Sequence, residues 1–288
     1  MVTLPHLRLP RTLAEFGRKL IIMTRAEAGP VQISAMSKLA REAVLFVTPV
    51  VFPDYVETIP GSLARSEQLL REGNGLVVVI NHFSKRDPVN ALSALMRLSP
   101  EFKNRRVLAP IAHHQHTPMR ESFTQALGVD LRPIVNHDTV AKGRQGKLRR
   151  GHGLRQYLDD GIDLLSQGGI LLIAPQGGRR ASLQERDEGS MDLMVRRLAQ
   201  QDVANVAFMF VGLGIAGEQD YNQDRVGKYN VGKLYKIVVG PTISLPEISE
   251  KTAAADISVD ELVYQQLGLL VPEAYRGTPE AIPQSLGQ

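Results

Sequence analysis

His82 and Asp87 stand five positions apart in Asn81-His82-Phe83-Ser84-Lys85-Arg86-Asp87-Pro88, directly after the apolar run 76–80. An aspartate that accepts from one imidazole nitrogen fixes the tautomer and raises the basicity of the other. The product is a general base for a hydroxyl, with no serine or cysteine nucleophile needed. On one continuous helix, five residues turn through a net angle of about 140°, and the two side chains would diverge. They meet only if His82 lies in a strand-to-helix loop and Asp87 in the first helical turn. The residue order supplies that geometry, since an apolar run precedes His82 and Pro88, a favoured first-turn residue, follows Asp87. His116 and Glu121 share the spacing but fall before and inside a helical pattern, without a preceding strand. The bland alternative for His82 is a buried histidine bonded to main chain.

A second junction follows the run 170–174, where Pro175-Gln176-Gly177-Gly178 leads into Arg179 and Arg180. Paired glycines allow close backbone approach and positive φ, and adjacent guanidinium groups suit bidentate capture of a phosphate. This is an anion site at a strand end, or, in the bland reading, a tight turn with solvated arginines. The order Gly-x-x-x-x-Gly-Lys-Ser/Thr of a nucleotide P-loop is missing. A metal hydrolase built on His113, His114 and His116 with Asp87 is the competing chemistry. In a strand, however, His113 and His114 point to opposite sides, so no metal site is expected.

The elements that must position these groups are legible as alternating patterns. Apolar runs at 76–80, 107–111, 170–174 and 206–211, with the more mixed stretches 129–135 and 234–239, read as buried strands. Helical spacing occupies 87–98, 118–127, 153–167 and 189–200 between them. The expected fold is α/β, with a mixed, largely parallel sheet flanked by helices. Helical spacing at 12–26 and 34–47, separated by Gly29-Pro30, predicts a helical hairpin ahead of it. Pro49, Pro53 and Pro60 then place a boundary near Tyr55, giving an N-terminal helical domain at 1–55 and an α/β domain at 56–288. After Pro272 an extended or loosely held terminus is expected.

A chain of 288 residues, 43% hydrophobic and 22% charged, suits one large α/β domain with a small extension and excludes collagen-like, coiled-coil or disordered classes. With no cysteine there is no disulfide framework, cysteine-ligated metal or thiolate nucleophile. The net charge of +4 is small, but 141–158 gathers Lys142, Arg144, Lys147, Arg149, Arg150 and Arg155 without a carboxylate. It reads either as a solvated loop or as a docking surface for an anionic partner. Nucleic acid is not the expected partner, since aromatic residues are only 5% and Trp is absent. No run approaches the roughly 18 apolar residues of a membrane span, and 1–10 lacks a signal-type apolar core. A cytoplasmic protein with possible peripheral membrane contact is therefore expected, the 34–52 helix being the one candidate for that contact.

Together, His82-x4-Asp87 and the Gly177-Gly178-Arg179 turn resemble the glycerolipid acyltransferase family, most closely the soluble glycerol-3-phosphate acyltransferases of plastids. Ala174 to Arg179 stands where that type has Ala-Pro-small polar-Gly-Gly-Arg. Gly128 and Arg132 stand where the family's second motif has Gly and Arg, and the likeness runs roughly over 76–246. The resemblance implies transfer of a fatty acyl group from an acyl carrier protein or coenzyme A thioester to the sn-1 hydroxyl of glycerol-3-phosphate, without a cofactor. It implies His82 as base, Asp87 as its orienting partner, and Arg179, Arg180, Arg132, His137, Gly177 and Gly178 around the substrate. The basic stretch would receive the acidic carrier protein. Gln176 departs from the family's usual Glu, and Ala181 stands where the plastid type has a second arginine. The alternatives are a lysophosphatidate acyltransferase sharing the same catalytic residues, and a non-catalytic lipid-binding relative.

Overall fold

The computed structural model describes residues 33, 35–135, 153–185, 189–217, 226–228, 230 and 232–276. Seven strands form one sheet in the order β1-β7-β6-β2-β5-β3-β4. They are β1 (Asp54–Thr58), β2 (Gly75–Ile80), β3 (Val107–Ala112), β4 (Val129–Ile134), β5 (Ile170–Ile173), β6 (Val206–Ile215) and β7 (Tyr235–Ser244). Every neighbouring pair is parallel except β6–β7. The expected mixed, largely parallel α/β sheet flanked by helices is therefore the observed one.

Helices cover both faces because the central strands bury both. In β2 all six residues are buried: Val77 and Val79 pack on one side, Leu76, Val78 and Ile80 on the other. The first side holds α6 (Leu154–Ser166), α7 (Ser190–Gln200), α8 (Leu245–Ala255) and α9 (Val259–Leu270), with Ile162, Met194, Ile248 and Leu267 in its core. The second holds α1 (Ala35–Val51), α2 (Ser62–Arg71), α3 (Asp87–Leu98) and α4 (Pro100–Asn104), with Leu45, Leu70, Leu95 and Phe102. A short α5 (Pro118–Ala126) precedes β4.

Four expectations change. The boundary near Tyr55 falls inside β1, whose Tyr55 is in register with Lys236 of β7, so this stretch belongs to the sheet. α1 runs past Pro49, near its end, and is tied to the α/β unit by Arg41. Arg41 is 1% exposed and donates to the carbonyls of Phe102, Lys103, Leu127 and Gly128. These carbonyls belong to the ends of α4 and α5, where a cation offsets the unpaired acceptors and the helix dipole. The hairpin partner expected at 12–26 lies outside the described residues. His113–Gln115 form a 3-10 turn directly after β3, not the strand assumed for the histidines, so a strand does stand ahead of His116 and Glu121. Finally, the terminus after Pro272 is not loose up to Arg276: Glu273–Arg276 form α10, and Tyr275 is fully buried.

Candidate active site

β2 and β5 are neighbours in register, with Val79 opposite Ile173, so their carboxyl ends stand side by side. The two junctions, far apart in sequence, thus meet at the sheet edge where open α/β folds collect their functional groups. β2 does not simply stop at Ile80. Asn81 continues its pairing to β6 by side chain, donating from Nδ2 to Leu213 O at 2.9 Å and accepting from Leu213 N at 2.7 Å. The chain then leaves the sheet at His82.

Asp87 is the first residue of α3, and the turn before it folds back on its carboxylate. Oδ2 accepts from the Phe83 and Ser84 amides, each at 2.6 Å, and lies 3.2 Å from His82 Nδ1. Oδ1 accepts from the Tyr235 hydroxyl at 3.1 Å. The carboxylate is buried, at 1% exposure, yet compensated by four donors and the helix N-terminus. Burial, and then the nearby Asp87 charge, pushes the Tyr235 hydroxyl well above the ordinary phenol value, so it remains a donor. With Asp87 as acceptor, Nδ1 of His82 carries the proton and Nε2 is the basic nitrogen. The imidazole keeps 17% exposure and lines a cavity. Behind the loop, the Arg86 guanidinium lies 3.8 Å from the centre of the Tyr235 ring and donates to the carbonyls of Pro53, Asn230 and Lys233.

That cavity has a volume of about 530 Å³, within the usual span of small-ligand sites. One end is formed by His82, Lys85, Gly177, Gly178 and Arg179. From there it extends between α3, α5 and the β3–β4 strands to Leu45 and Arg41 of α1, past Leu92, Met96 and Leu131. Its walls are mostly apolar; Lys85 and Arg179 line it at the histidine end, while Arg120 of α5 and Arg41 of α1 line it elsewhere. The Arg179 side chain lies close to Gly227, where a Cβ would sit 3.5 Å from Nε, and the Gly227 amide donates to Phe83 O at 2.9 Å.

Several expected site residues are thus brought together: His82, Asp87, Gly177, Gly178 and Arg179. Arg180 contributes through its main chain, its amide donating to His82 O at 2.9 Å. Arg132 is not brought in: its guanidinium pairs with Asp160 of α6, on the face of β4 opposite Leu131. The alternation of side chains along a strand forces that separation. His137 lies outside the described residues, as does the basic stretch up to Arg150, while Arg155 stands exposed beside Asp159. His116 Nε2 stands 3.3 Å from Glu121, so the second pair forms too, but the residues lining the cavity include neither. Among the described residues no group of three His, Asp or Glu side chains could hold a metal ion. No described helix is long and apolar enough to cross a membrane.

The sequence reading missed Lys85, Tyr235, Tyr275 and the cavity walls. Lys85 lay inside the quoted motif and its charge was the available signal. Tyr235 and Tyr275 reach the site from 148 and 193 positions away, with no local pattern to announce them. No protein-family model matches the chain, and no curated protein sequence matches it.

Proposed function

We propose that the chain transfers a fatty acyl group from an acyl carrier protein or coenzyme A thioester to the sn-1 hydroxyl of glycerol-3-phosphate. One observation carries the reading: a single, mostly apolar cavity holds a His–Asp pair, Lys85 and Arg179 at one end. The apolar length suits an acyl chain, and the cationic end suits a phosphorylated acceptor.

His82 Nε2 takes the proton of the acceptor hydroxyl as its oxygen attacks the thioester carbonyl carbon. The imidazolium so formed is stabilised by Asp87. The carbonyl oxygen becomes an oxyanion beside the Gly177–Gly178 turn, where glycine lets main-chain amides approach closely. Collapse re-forms the carbonyl and breaks the carbon–sulfur bond, and the proton on His82 passes to the departing thiolate. Arg179 and Lys85 hold the acceptor phosphate, a role the resemblance also gave to Arg180, Arg132 and His137. The site would work in the cytoplasm, at the membrane surface where its product is used in phospholipid synthesis.

One observation favours lysophosphatidate as the acceptor instead. Leu39, Phe46, Val47 and Val50 of α1 are exposed, on the helix whose Val44 and Leu45 line the cavity, and an apolar surface there would suit a lipid acceptor. Purified protein incubated with radiolabelled acyl carrier protein and coenzyme A thioesters, and with each acceptor in turn, separates the readings. Labelled acylglycerol phosphate from glycerol-3-phosphate supports the first, and product from lysophosphatidate alone supports the second. Tight acyl-chain binding with no product from either would favour a non-catalytic lipid-binding protein.

A further inference from the structure

His82 and Asp87 form one rigid unit, because the loop that carries His82 runs directly into Asp87 and its Phe83 and Ser84 amides bind the same carboxylate oxygen as the imidazole. Nothing in that unit fixes where it stands relative to the Gly177–Arg179 turn on the neighbouring strand. The main chain of His82 does. Its N–H donates to Gln176 Oε1 at 2.8 Å, and its carbonyl accepts from the Arg180 amide at 2.9 Å. The Tyr275 hydroxyl stands 3.2 Å from Gln176 Oε1 and 3.4 Å from His82 O, its single proton shared between two acceptors.

Gln176 is fully buried and is not among the residues lining the cavity, so it faces His82 and not the substrate space. Its amide is used at both ends: Oε1 receives two donors while Nε2 donates to Ser182 O at 3.1 Å. A glutamate would serve the first two partners equally well. Its second carboxylate oxygen would, however, face the Ser182 carbonyl, a buried contact between two acceptors. The departure from the resembled motif is therefore matched to this loop and says nothing about the acceptor.

Tyr275 comes from α10, at the end of the described chain. Its ring meets Phe83 edge-on, with centroids 5.8 Å apart at 84°, and its carbonyl accepts from Leu183 N at 3.0 Å. It thus touches the loops after both β2 and β5. Burial pushes its hydroxyl well above the ordinary phenol value, which keeps it a donor.

We infer that Gln176 and Tyr275 are positioning residues that clamp the His82 main chain against the glycine–arginine turn, an inference that rests on His82 being the base of the proposed transfer. Misplacing a base by about 1 Å costs on the order of 10²-fold in rate, so loss of the clamp should appear in kcat more than in KM.

The test uses full-length Gln176→Leu, Gln176→Glu and Tyr275→Phe, assayed well below their melting temperatures, with NMR of the His82 imidazole as a readout independent of substrate. Gln176→Leu should lose about 10²-fold in kcat and Tyr275→Phe roughly tenfold, with both KM values within about twofold. Gln176→Glu should recover roughly tenfold over Gln176→Leu, because it restores the acceptor for the His82 amide. The His82 resonances should move in Gln176→Leu and Tyr275→Phe. Folded variants with wild-type kcat and unmoved resonances would overturn the clamp, as would a Gln176→Glu no better than Gln176→Leu. If Gln176→Leu fails to fold, Tyr275→Phe, which removes one oxygen and leaves the ring, decides alone. A wild-type protein without acyl transfer would defeat the proposed function, and the resonances alone would then judge the clamp.

Discussion

At the scale of single residues the site is a division of labour between a buried carboxylate and an imidazole that still reaches the cavity. Four donors hold Asp87, so its charge is available to stabilise an imidazolium without solvent. Asp87→Asn keeps the size but removes the charge and can present a donor to Nδ1, which favours the wrong tautomer. It should lower kcat by about 10²- to 10⁴-fold while leaving the circular dichroism spectrum unchanged. Arg179 lines the cavity next to the Gly177–Gly178 turn, and Arg179→Ala should raise the KM for the phosphorylated acceptor by roughly 10- to 100-fold with little change for the acyl donor. An unchanged acceptor KM would remove it from the phosphate site. The His82–Asp87 pair was readable because its spacing, the apolar run before it and Pro88 after it all lie within one short stretch. Arg132 was misassigned because a motif position does not say which face of β4 a side chain takes, and Asp160 claims it on the far face.

At the scale of elements, strands were legible where apolar residues ran unbroken and illegible where packing needed something else. β6 and β7 extend well past the expected 211 and 239 because Gly212 and Gly240 interrupt the pattern. A Cβ on Gly212 would lie 2.5 Å from Leu270 Cβ, and one on Gly240 would lie 2.3 Å from Leu270 Cδ1, so α9 can pack there only against glycine. Pro241 sits where the β6–β7 register shifts between Met209 and Val211, an irregularity that tolerates a residue without an amide proton. β1 was missed because it is a short edge strand whose burial alternates weakly.

α8 begins with a capping box in which Ser244 and Glu247 bond reciprocally, and Arg65 of α2 reaches the same carboxylate. Partial burial works to raise the Glu247 pKa, but the Ser244 hydroxyl and amide, with Arg65, bring it down to about 2. A carboxylate held low contributes stability above its ordinary titration near 4.5 and loses it as pH falls through about 2. Glu247→Gln, which keeps the box but not the charge, should therefore melt lower than wild type at neutral pH, by less than about 1 kcal/mol for so exposed a pair. The gap should close as pH drops from about 4.5 to about 2, whereas a gap constant with pH would contradict the ionic contribution.

For the whole molecule, the proposed function rests on the apolar cavity that several remote elements enclose, with His82 at one end. No sequence pattern announces it, since α1, α3, α5 and the β3–β4 pair each contribute a few residues, far apart along the chain, whose convergence only the fold creates. Each methylene of an acyl chain seated there would gain about 0.8 kcal/mol, roughly fourfold in affinity. Leu92→Trp, placed on α3 within the cavity, should shift donor preference toward shorter chains by at least about tenfold, at a stability cost of about 1–3 kcal/mol. Competition between long- and short-chain thioesters reads that ratio, and an unchanged preference would mean that the chain does not lie there.

The proposed function rests on His82, at the end of that cavity, driving acyl transfer to a hydroxyl. The most direct measurement is single-turnover transfer from a radiolabelled long-chain acyl thioester to glycerol-3-phosphate, comparing wild type with His82→Ala at equal folded concentration. Wild type should give labelled acylglycerol phosphate, and His82→Ala should give it at a rate at least about 10²-fold lower. Equal product from both proteins would contradict the proposed function.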